Sequence, residues 1–251
     1  MHKVLVTGGL GEVGVLVTKV PSFECDVYDI QNGDDIWDKK KLVERMKGKD
    51  IVVHLAAYAH PFMEGVTDDD YWKLNFEGTK HVVSCMKEAG VKRIIFMSTG
   101  GMYGFSQGKP FVKYLPVDEK HPLPPEDQLT TYDKTKIACE EFLLGLKGIK
   151  AYLLRLEAPG LIDDEKAVYK EHLFAHVTRN NFIDLMEILS EYNGKNDVFN
   201  AGDAVQNKFC PDTIAFAHEF YPEAEIKLDS PTAPLYSVKK AQEVLGYKGD
   251  K

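Results

Sequence analysis

Five short runs in the first part of the chain (residues 3–7, 25–29, 51–56, 93–98 and 151–156) are rich in Val, Ile and Leu, with little polar alternation. Strands buried on both faces of a parallel sheet have this composition. Between them lie amphipathic stretches at 38–46, 71–89 and 131–146. In the second, Tyr71, Leu74, Gly78, Val82 and Cys85 recur at helical spacing and predict one apolar helix face. Strand and helix in alternation predict an α/β fold with a doubly wound parallel sheet.

Two stretches break this rhythm. Residues 104–130 hold Pro110, Pro116, Pro122, Pro124 and Pro125, which predicts a loop rather than a helix. After Pro159 the pattern is less regular, with helices expected over Arg179–Glu191, 211–220 and 238–245 and a strand at 198–201. No linker rich in Gly and Ser intervenes. The expected organisation is therefore a main body over 1–160 and a small lobe over 161–251 that packs on it and contributes to its sheet.

Composition narrows the classes of function. The chain has 251 residues and a formal net charge of -8, which argues against a nucleic-acid partner. Basic clusters such as Lys39-Lys40-Lys41 and Lys239-Lys240 are short and read as solvated helix faces. Apolar runs fall far short of the ~20 residues that a membrane span needs. The first strand starts at Lys3, and no signal peptide is expected. Cys25, Cys85, Cys139 and Cys210 are scattered, so they are expected to be reduced thiols of a cytoplasmic protein, with neither a zinc site nor a disulfide framework. His172 and His176 are spaced i, i+4 without an evident acidic third ligand, and no metal is expected.

Thr7-Gly8-Gly9-Leu10-Gly11-Glu12-Val13-Gly14 follows the first strand directly and opens a helix. Glycine here permits positive φ and lets the backbone close on a pyrophosphate, whose charge meets the N–H groups of the helix start. Gly14 would allow close helix–strand packing. The second strand ends at Asp29, 21 residues after Gly8, where a carboxylate would bond a ribose 2′-hydroxyl and repel a 2′-phosphate. The loop in this context predicts a Rossmann dinucleotide site that prefers NAD to NADP.

With these residues in place, the chain resembles the extended short-chain dehydrogenase/reductases, the NAD-dependent epimerase/dehydratase family. Residues 7–14 are similar to that family's T-G-x-x-G-x-x-G, with Gly8, Gly11, Glu12, Val13 and Gly14 at the cofactor. Gly33-Asp34-Asp35-Ile36-Trp37-Asp38 resembles G-D-I-x-D, which would set Asp35 and Ile36 against the adenine. Residues 50–57, including Leu55, Ala56 and Ala57, resemble D-V-V-I-H-L-A-A, and Asn75-Phe76-Glu77-Gly78-Thr79 resembles N-V-x-G-T. Residues 96–104 resemble the S-[ST]-x-x-V-Y-G strand end, and Tyr132-Asp133-Lys134-Thr135-Lys136 matches Y-x-x-x-K. The resemblance implies a catalytic set of Thr99, Tyr132 and Lys136, with Ser98 as the alternative hydroxyl. It also implies that Pro159 lies against the nicotinamide and that the helices at 71–89 and 131–146 form a homodimer interface.

The chemistry accounts for these residue types. Tyrosine has an ordinary pKa of about 10, too high for a base at neutral pH. Lys136 lies one helical turn beyond Tyr132, and its ammonium favours the phenolate. Tyr132 would then be general base in oxidation and general acid in reduction, while Lys136 holds the nicotinamide ribose and Thr99 orients the substrate oxygen. His54, in a buried strand, reads as a core histidine, and Glu140-Glu141 as a solvated helix face.

The sequence departs from the family at Arg155-Leu156-Glu157-Ala158-Pro159-Gly160, where Ala158 stands in place of an asparagine that many sugar-nucleotide epimerases carry. Thr178 follows Gly160 by 18 residues, a shorter segment than sugar-nucleotide enzymes usually hold. That compactness resembles the uronate dehydrogenases, which oxidise free sugar acids. Tyr58, His60, Gly100 and Arg179 are the candidate substrate contacts. Arg179 is either the cation for a carboxylate or a surface arginine at a helix start. Three functions stay open: an NAD-dependent dehydrogenase of a sugar or sugar acid, a nucleotide-sugar epimerase, and a non-catalytic NAD-binding protein. Gly100 and Gly101, where a dehydratase wants acids, disfavour dehydration.

Overall fold

The computed structural model describes residues 1–157, 169–204 and 209–250. Its strands are β1 (His2–Thr7), β2 (Phe23–Tyr28), β3 (Ile51–His54), β4 (Arg93–Thr99), β5 (Tyr114–Leu115), β6 (Lys150–Leu156), β7 (Asp197–Ala201) and β8 (Glu225–Ile226). The helices are α1 (Glu12–Val17), α2 (Lys39–Met46), α3 (Asp68–Tyr71), α4 (Gly78–Ala89), α5 (Thr131–Leu144), α6 (Arg179–Glu191), α7 (Thr213–Phe220) and α8 (Lys239–Leu245).

Six strands form one sheet in the order β2-β1-β3-β4-β6-β7. β1 pairs parallel with both β2 and β3, Val4 standing opposite Cys25 and Ile51. β3 continues parallel to β4, with Val52 opposite Ile94. The chain order reverses at β1, the topological switch of a Rossmann fold, whose ligands bind outside the carboxyl ends of the strands. The expected α/β class and doubly wound parallel sheet are what the molecule has.

The chain divides into two compact units. The first comprises Met1–Ser98, Thr130–Leu154 and Met186–Val198; the second Thr99–Leu129, Arg155–Leu185 and Phe199–Lys251. The core of the first contains Leu5, Val52, Ile94 and Phe96 from the strands and Leu42, Met46, Val82, Met86 and Leu143 from α2, α4 and α5. Local sequence sets its helix starts. Asp38 caps α2 by accepting from the Lys41 N–H at 3.0 Å. At α5, Thr130 and Asp133 form a reciprocal capping box, Thr130 Oγ1 accepting from the Asp133 N–H at 3.2 Å and Asp133 Oδ2 from the Thr130 N–H at 3.1 Å.

The expected helix over 71–89 is divided. Asp68–Tyr71 is α-helical, Trp72–Glu77 is a π-helical turn, and the α-helix resumes at Gly78. The wider turn takes in an extra residue, and Asn75 within it is buried. The second unit holds a small parallel pair, β5 with β8, in which Tyr114 stands opposite Glu225. The proline-rich stretch thus holds a short strand and two 3-10 turns, Phe105–Gln107 and Glu126–Gln128, rather than a helix.

Candidate active site

Backbone packing explains the glycine loop. Gly8 has φ +70°, and a Cβ there would lie 2.7 Å from the Ala56 nitrogen. A Cβ on Gly14 would lie 2.5 Å from the Gly9 carbonyl carbon, so α1 packs directly on its own loop. Gly11 is exposed, and a Cβ on it would meet only the Gly8 oxygen, at 3.4 Å. Glu12 is exposed and Val13 half-buried at the start of α1. Asp29, 5% exposed, accepts from the Leu10 N–H at 3.0 Å and the Gln31 N–H at 2.9 Å, one on each carboxylate oxygen. Each oxygen keeps a lone pair for a further donor. A bare cradle beside a carboxylate at the end of β2 fits the diphosphate and ribose of a dinucleotide.

The other expected cofactor contacts differ in kind. Leu55, Ala56 and Ala57 are half-buried after β3, where the Leu55 N–H donates to the Thr7 carbonyl at 3.0 Å. Asp35 is exposed and bonds the Trp37 N–H at 2.9 Å. Ile36 is buried in the core, and a Cβ on Gly78 would approach its Cδ1 to 3.0 Å. Pro159, with Ala158 and Gly160, lies outside the described residues.

A buried polar chain links β1, β3, α4 and the π-helical turn. Thr79 Oγ1 donates to the Asn75 carbonyl at 2.6 Å, so it can only accept from His54 Nε2, 3.1 Å away. The other ring nitrogen, Nδ1, then accepts from Thr7 Oγ1 at 2.7 Å. Burial, aided by the Lys136 charge, pushes the His54 pKa down to about 3, and the ring is neutral. It is a core histidine, as expected. Asn75 grips Tyr58 at both backbone groups, accepting from its N–H at 2.8 Å and donating to its carbonyl at 3.1 Å. The same amide donates to Thr135 Oγ1 at 3.3 Å, and Thr135 donates to the Tyr132 carbonyl at 2.7 Å. Tyr71 donates to the His60 carbonyl at 2.6 Å; the His60 side chain itself is exposed.

Tyr132 and Lys136 share a face of α5, both buried. The Lys136 ammonium donates to the Met97 carbonyl at 2.9 Å and lies 4.8 Å from the Phe96 ring centre and 5.8 Å from that of Tyr132. Burial pulls its pKa down to about 8, against opposing pulls from Cys139 and Glu140. The Tyr132 ring also meets Tyr71 edge to face at 6.4 Å, and Tyr71 meets Tyr58 at 5.6 Å.

Glu140 corrects an expectation. It is 4% exposed and accepts from Ser98 Oγ at 2.5 Å, so it is not on a solvated face. One turn past Lys136 on an inward-facing stripe, it was hidden in the sequence by the adjacent Glu141, which is exposed. This bond also commits the Ser98 hydroxyl.

In the second unit, Thr99 ends β4, and its Oγ1 accepts from the Gly101 N–H at 2.9 Å, which leaves the hydroxyl proton to donate. Gly100 packs against Glu157 and Tyr236. His172 and His176 each face an acid: Glu157 at 2.8 Å and Asp203 at 3.3 Å. Arg179 is exposed at the first position of α6. The family pattern gave no signal for Glu157 or His172; only their proximity in the fold exposes them.

The family model described as NAD dependent epimerase/dehydratase family matches residues 4–159. The chain belongs to that family. Its cofactor is NAD, in keeping with the glycine cradle and Asp29. A 4-epimerase of N-acetyl-alpha-D-glucosaminyl-diphospho-ditrans,octacis-undecaprenol from Escherichia coli O157:H7 is 32% identical over 151 residues, 56% of this chain and 42% of the relative. An L-arabinose 1-dehydrogenase (NAD(P)(+)) from Haloferax volcanii is 30% identical over 112 residues, 41% of this chain and 43% of the relative. The chain spans about half the length of the curated relatives it matches. The crystal structure of UDP-glucose 4-epimerase from Brucella ovis in complex with NAD superposes with a TM-score of 0.70 at 19% identity, over 99% of this chain and 94% of that chain. This is a likeness of fold.

Proposed function

We propose that this family member is an NAD-dependent oxidoreductase that interconverts a secondary alcohol or hemiacetal and the carbonyl of a small sugar or sugar acid. The observation that carries the reading is the buried Tyr132–Lys136 pair on α5, with the ammonium anchored to the Met97 carbonyl at 2.9 Å. Gly8, Gly11, Glu12, Val13, Gly14, Asp29, Asp35, Ile36, Leu55, Ala56, Ala57 and Asn75 would surround NAD, which supplies a hydride acceptor when bound.

Tyr132 takes the hydroxyl proton in oxidation and returns it in reduction. Lys136 favours its phenolate and holds the nicotinamide ribose. Thr99 donates its remaining proton to the substrate oxygen. Asn75 also fixes the Tyr58 backbone. A short segment after Gly160 supports a compact substrate, and Tyr58, His60, Gly100 and Arg179 are the proposed contacts.

A nucleotide-sugar epimerase is the second reading; the Escherichia coli relative, a 4-epimerase of a diphosphate-linked sugar, supports epimerisation. NADH formation from NAD with free uronates, aldoses and sugar nucleotides separates the two. Stoichiometric NADH from a free sugar supports the dehydrogenase. Conversion of a sugar nucleotide to its epimer without NADH accumulation supports the epimerase.

The reading includes a homodimer through α4, the preceding π-helical turn and α5. An aromatic strip supports it: Trp72 is 37% exposed and meets Phe76 at 5.7 Å, and Phe76 meets Phe142 at 6.5 Å. Among the described residues no helix is long and apolar enough to cross a membrane. The four free cysteines support a reducing, cytoplasmic setting.

A further inference from the structure

The space beside Gly100, the residue after Thr99, holds a carboxylate that comes from beyond another strand. A Cβ on Gly100 would lie 2.8 Å from Glu157 Oε2 and 3.2 Å from the Tyr236 hydroxyl oxygen. Position 100 is glycine because Glu157, arriving just past the end of β6, occupies the place a side chain would take. The other carboxylate oxygen, Oε1, is 2.8 Å from His172 Nδ1. The imidazole stacks on Phe105 with ring planes 12° apart. The Glu157 side chain is 6% exposed and that of His172 23%, so the ring is the accessible member of the pair. With Nδ1 held by the carboxylate, Nε2 is directed to the opposite side of the ring.

The backbone directly after this ring is strained. Leu173 and Phe174, directly after His172, both have φ +53°, a left-handed conformation unfavourable for a non-glycine residue. Leu173 is fully buried, and its packing keeps the turn in place. Burial lowers the imidazole pKa, but the Glu157 hydrogen bond and the charges of Glu157 and Glu171 outweigh it, and the net shift is upward. A raised pKa suits a group that exchanges protons near neutrality.

We propose that His172, oriented by Glu157, is a proton-transfer group for a polyhydroxy ketone whose carbonyl oxygen is bonded by the Thr99 hydroxyl. The C–H bond on the carbon next to the carbonyl breaks, and its proton goes to His172 Nε2. The electron pair forms the C=C bond of an enolate, whose negative oxygen accepts from Thr99. Glu157 balances the imidazolium, and return of a proton from His172, after exchange with solvent, restores the ketone. The step consumes no oxidant and shares only the role of Thr99 with the proposed function.

The test is deuterium uptake from D2O by dihydroxyacetone, D-fructose and 5-keto-D-gluconate, followed by proton NMR with the full chain and no added NAD. Exchange about 100-fold above buffer is expected, as for a positioned general base. It should fall to near buffer in His172→Gln and Glu157→Gln, with melting temperatures held. Titration of the His172 Hε1 resonance in the unsubstituted chain is a second readout, with a pKa above 6.5 expected. Exchange at the buffer rate with every ketone, exchange that survives in His172→Gln, or a His172 pKa below 6.5 overturns the assignment. NADH formation without exchange leaves the oxidoreductase reading standing and removes the dyad; exchange without NADH formation does the reverse.

Discussion

Gly8 and Ala56 meet where the chain order of the sheet reverses, so closely that a Cβ on residue 8 would lie 2.7 Å from the Ala56 nitrogen. Neither partner in this contact is a flexible side chain, so nothing can swing aside. With φ at +70°, Gly8→Ala is opposed by both backbone conformation and space. It should lose about 3 kcal/mol of stability and weaken NAD binding at least tenfold. Melting by circular dichroism and calorimetric titration with NAD check this; a variant that keeps both would remove the contact from the account.

Much of this site was legible because its signals are local. The glycine loop, Asp29 and the Tyr132–Lys136 spacing each lie within one strand–loop–helix unit, where backbone geometry dictates residue type. The helix expected from residue 131 does start there, where Thr130 and Asp133 side chains bond each other's backbone. The π-helical turn was not, because one extra residue in a turn leaves the apolar spacing of 71–89 nearly helical. Glu140, Glu157 and His172 were missed for another reason. Their partners stand 42 residues away for Glu140, and Glu157 and His172 are 15 apart, so only the fold brings each pair together.

Asn75→Ala removes an amide that bonds both backbone groups of Tyr58 and the Thr135 hydroxyl. Leaving buried partners unbonded should cost about 2–3 kcal/mol. Hydrogen exchange at the Tyr58 amide should speed up more than that of the β1 amides. Uniform acceleration through the protein would mean that Asn75 supports the core rather than this segment.

His54 predicts an acid-sensitive fold. Its pKa is about 3 in the folded protein and 6.5 ordinarily, so it adds no pH dependence above 6.5. As pH falls from 6.5 towards 3 the unfolded chain gains a proton that the folded one refuses, which costs about 1.4 kcal/mol per pH unit. Urea midpoints of His54→Gln should therefore fall less steeply over that range than those of the unsubstituted protein. Parallel curves would show that burial does not exclude the proton.

Burial of the Lys136 charge costs the fold stability. Its folded pKa of about 8 lies below the ordinary 10.5, so at pH 7 the buried charge penalises the native state. That penalty fades as pH rises from 8 to 10.5. After allowing for the lost bond to Met97, Lys136→Met should gain about 2 kcal/mol at pH 7. The gain should shrink above pH 8, and turnover should be lost. Thermal melts at pH 7 and pH 10 test the sign; equal shifts at the two values would contradict it.

The aromatic strip predicts a dimer in solution. Size exclusion with light scattering should give about 57 kDa, twice the 28.3 kDa chain. Trp72→Glu should shift the distribution towards monomer, since it buries a charge in an apolar contact. A chain that is monomeric at micromolar concentration would exclude this interface.

The central claim is that Tyr132 moves the substrate proton as the hydride is exchanged. The most direct measurement is NADH formation by the protein and by Tyr132→Phe, at saturating sugar or sugar acid, with NAD affinity measured alongside. The account predicts that Tyr132→Phe binds NAD within about threefold of the unsubstituted protein and turns over at least 100-fold more slowly. Turnover of Tyr132→Phe at the unsubstituted rate, with NAD bound, would contradict it.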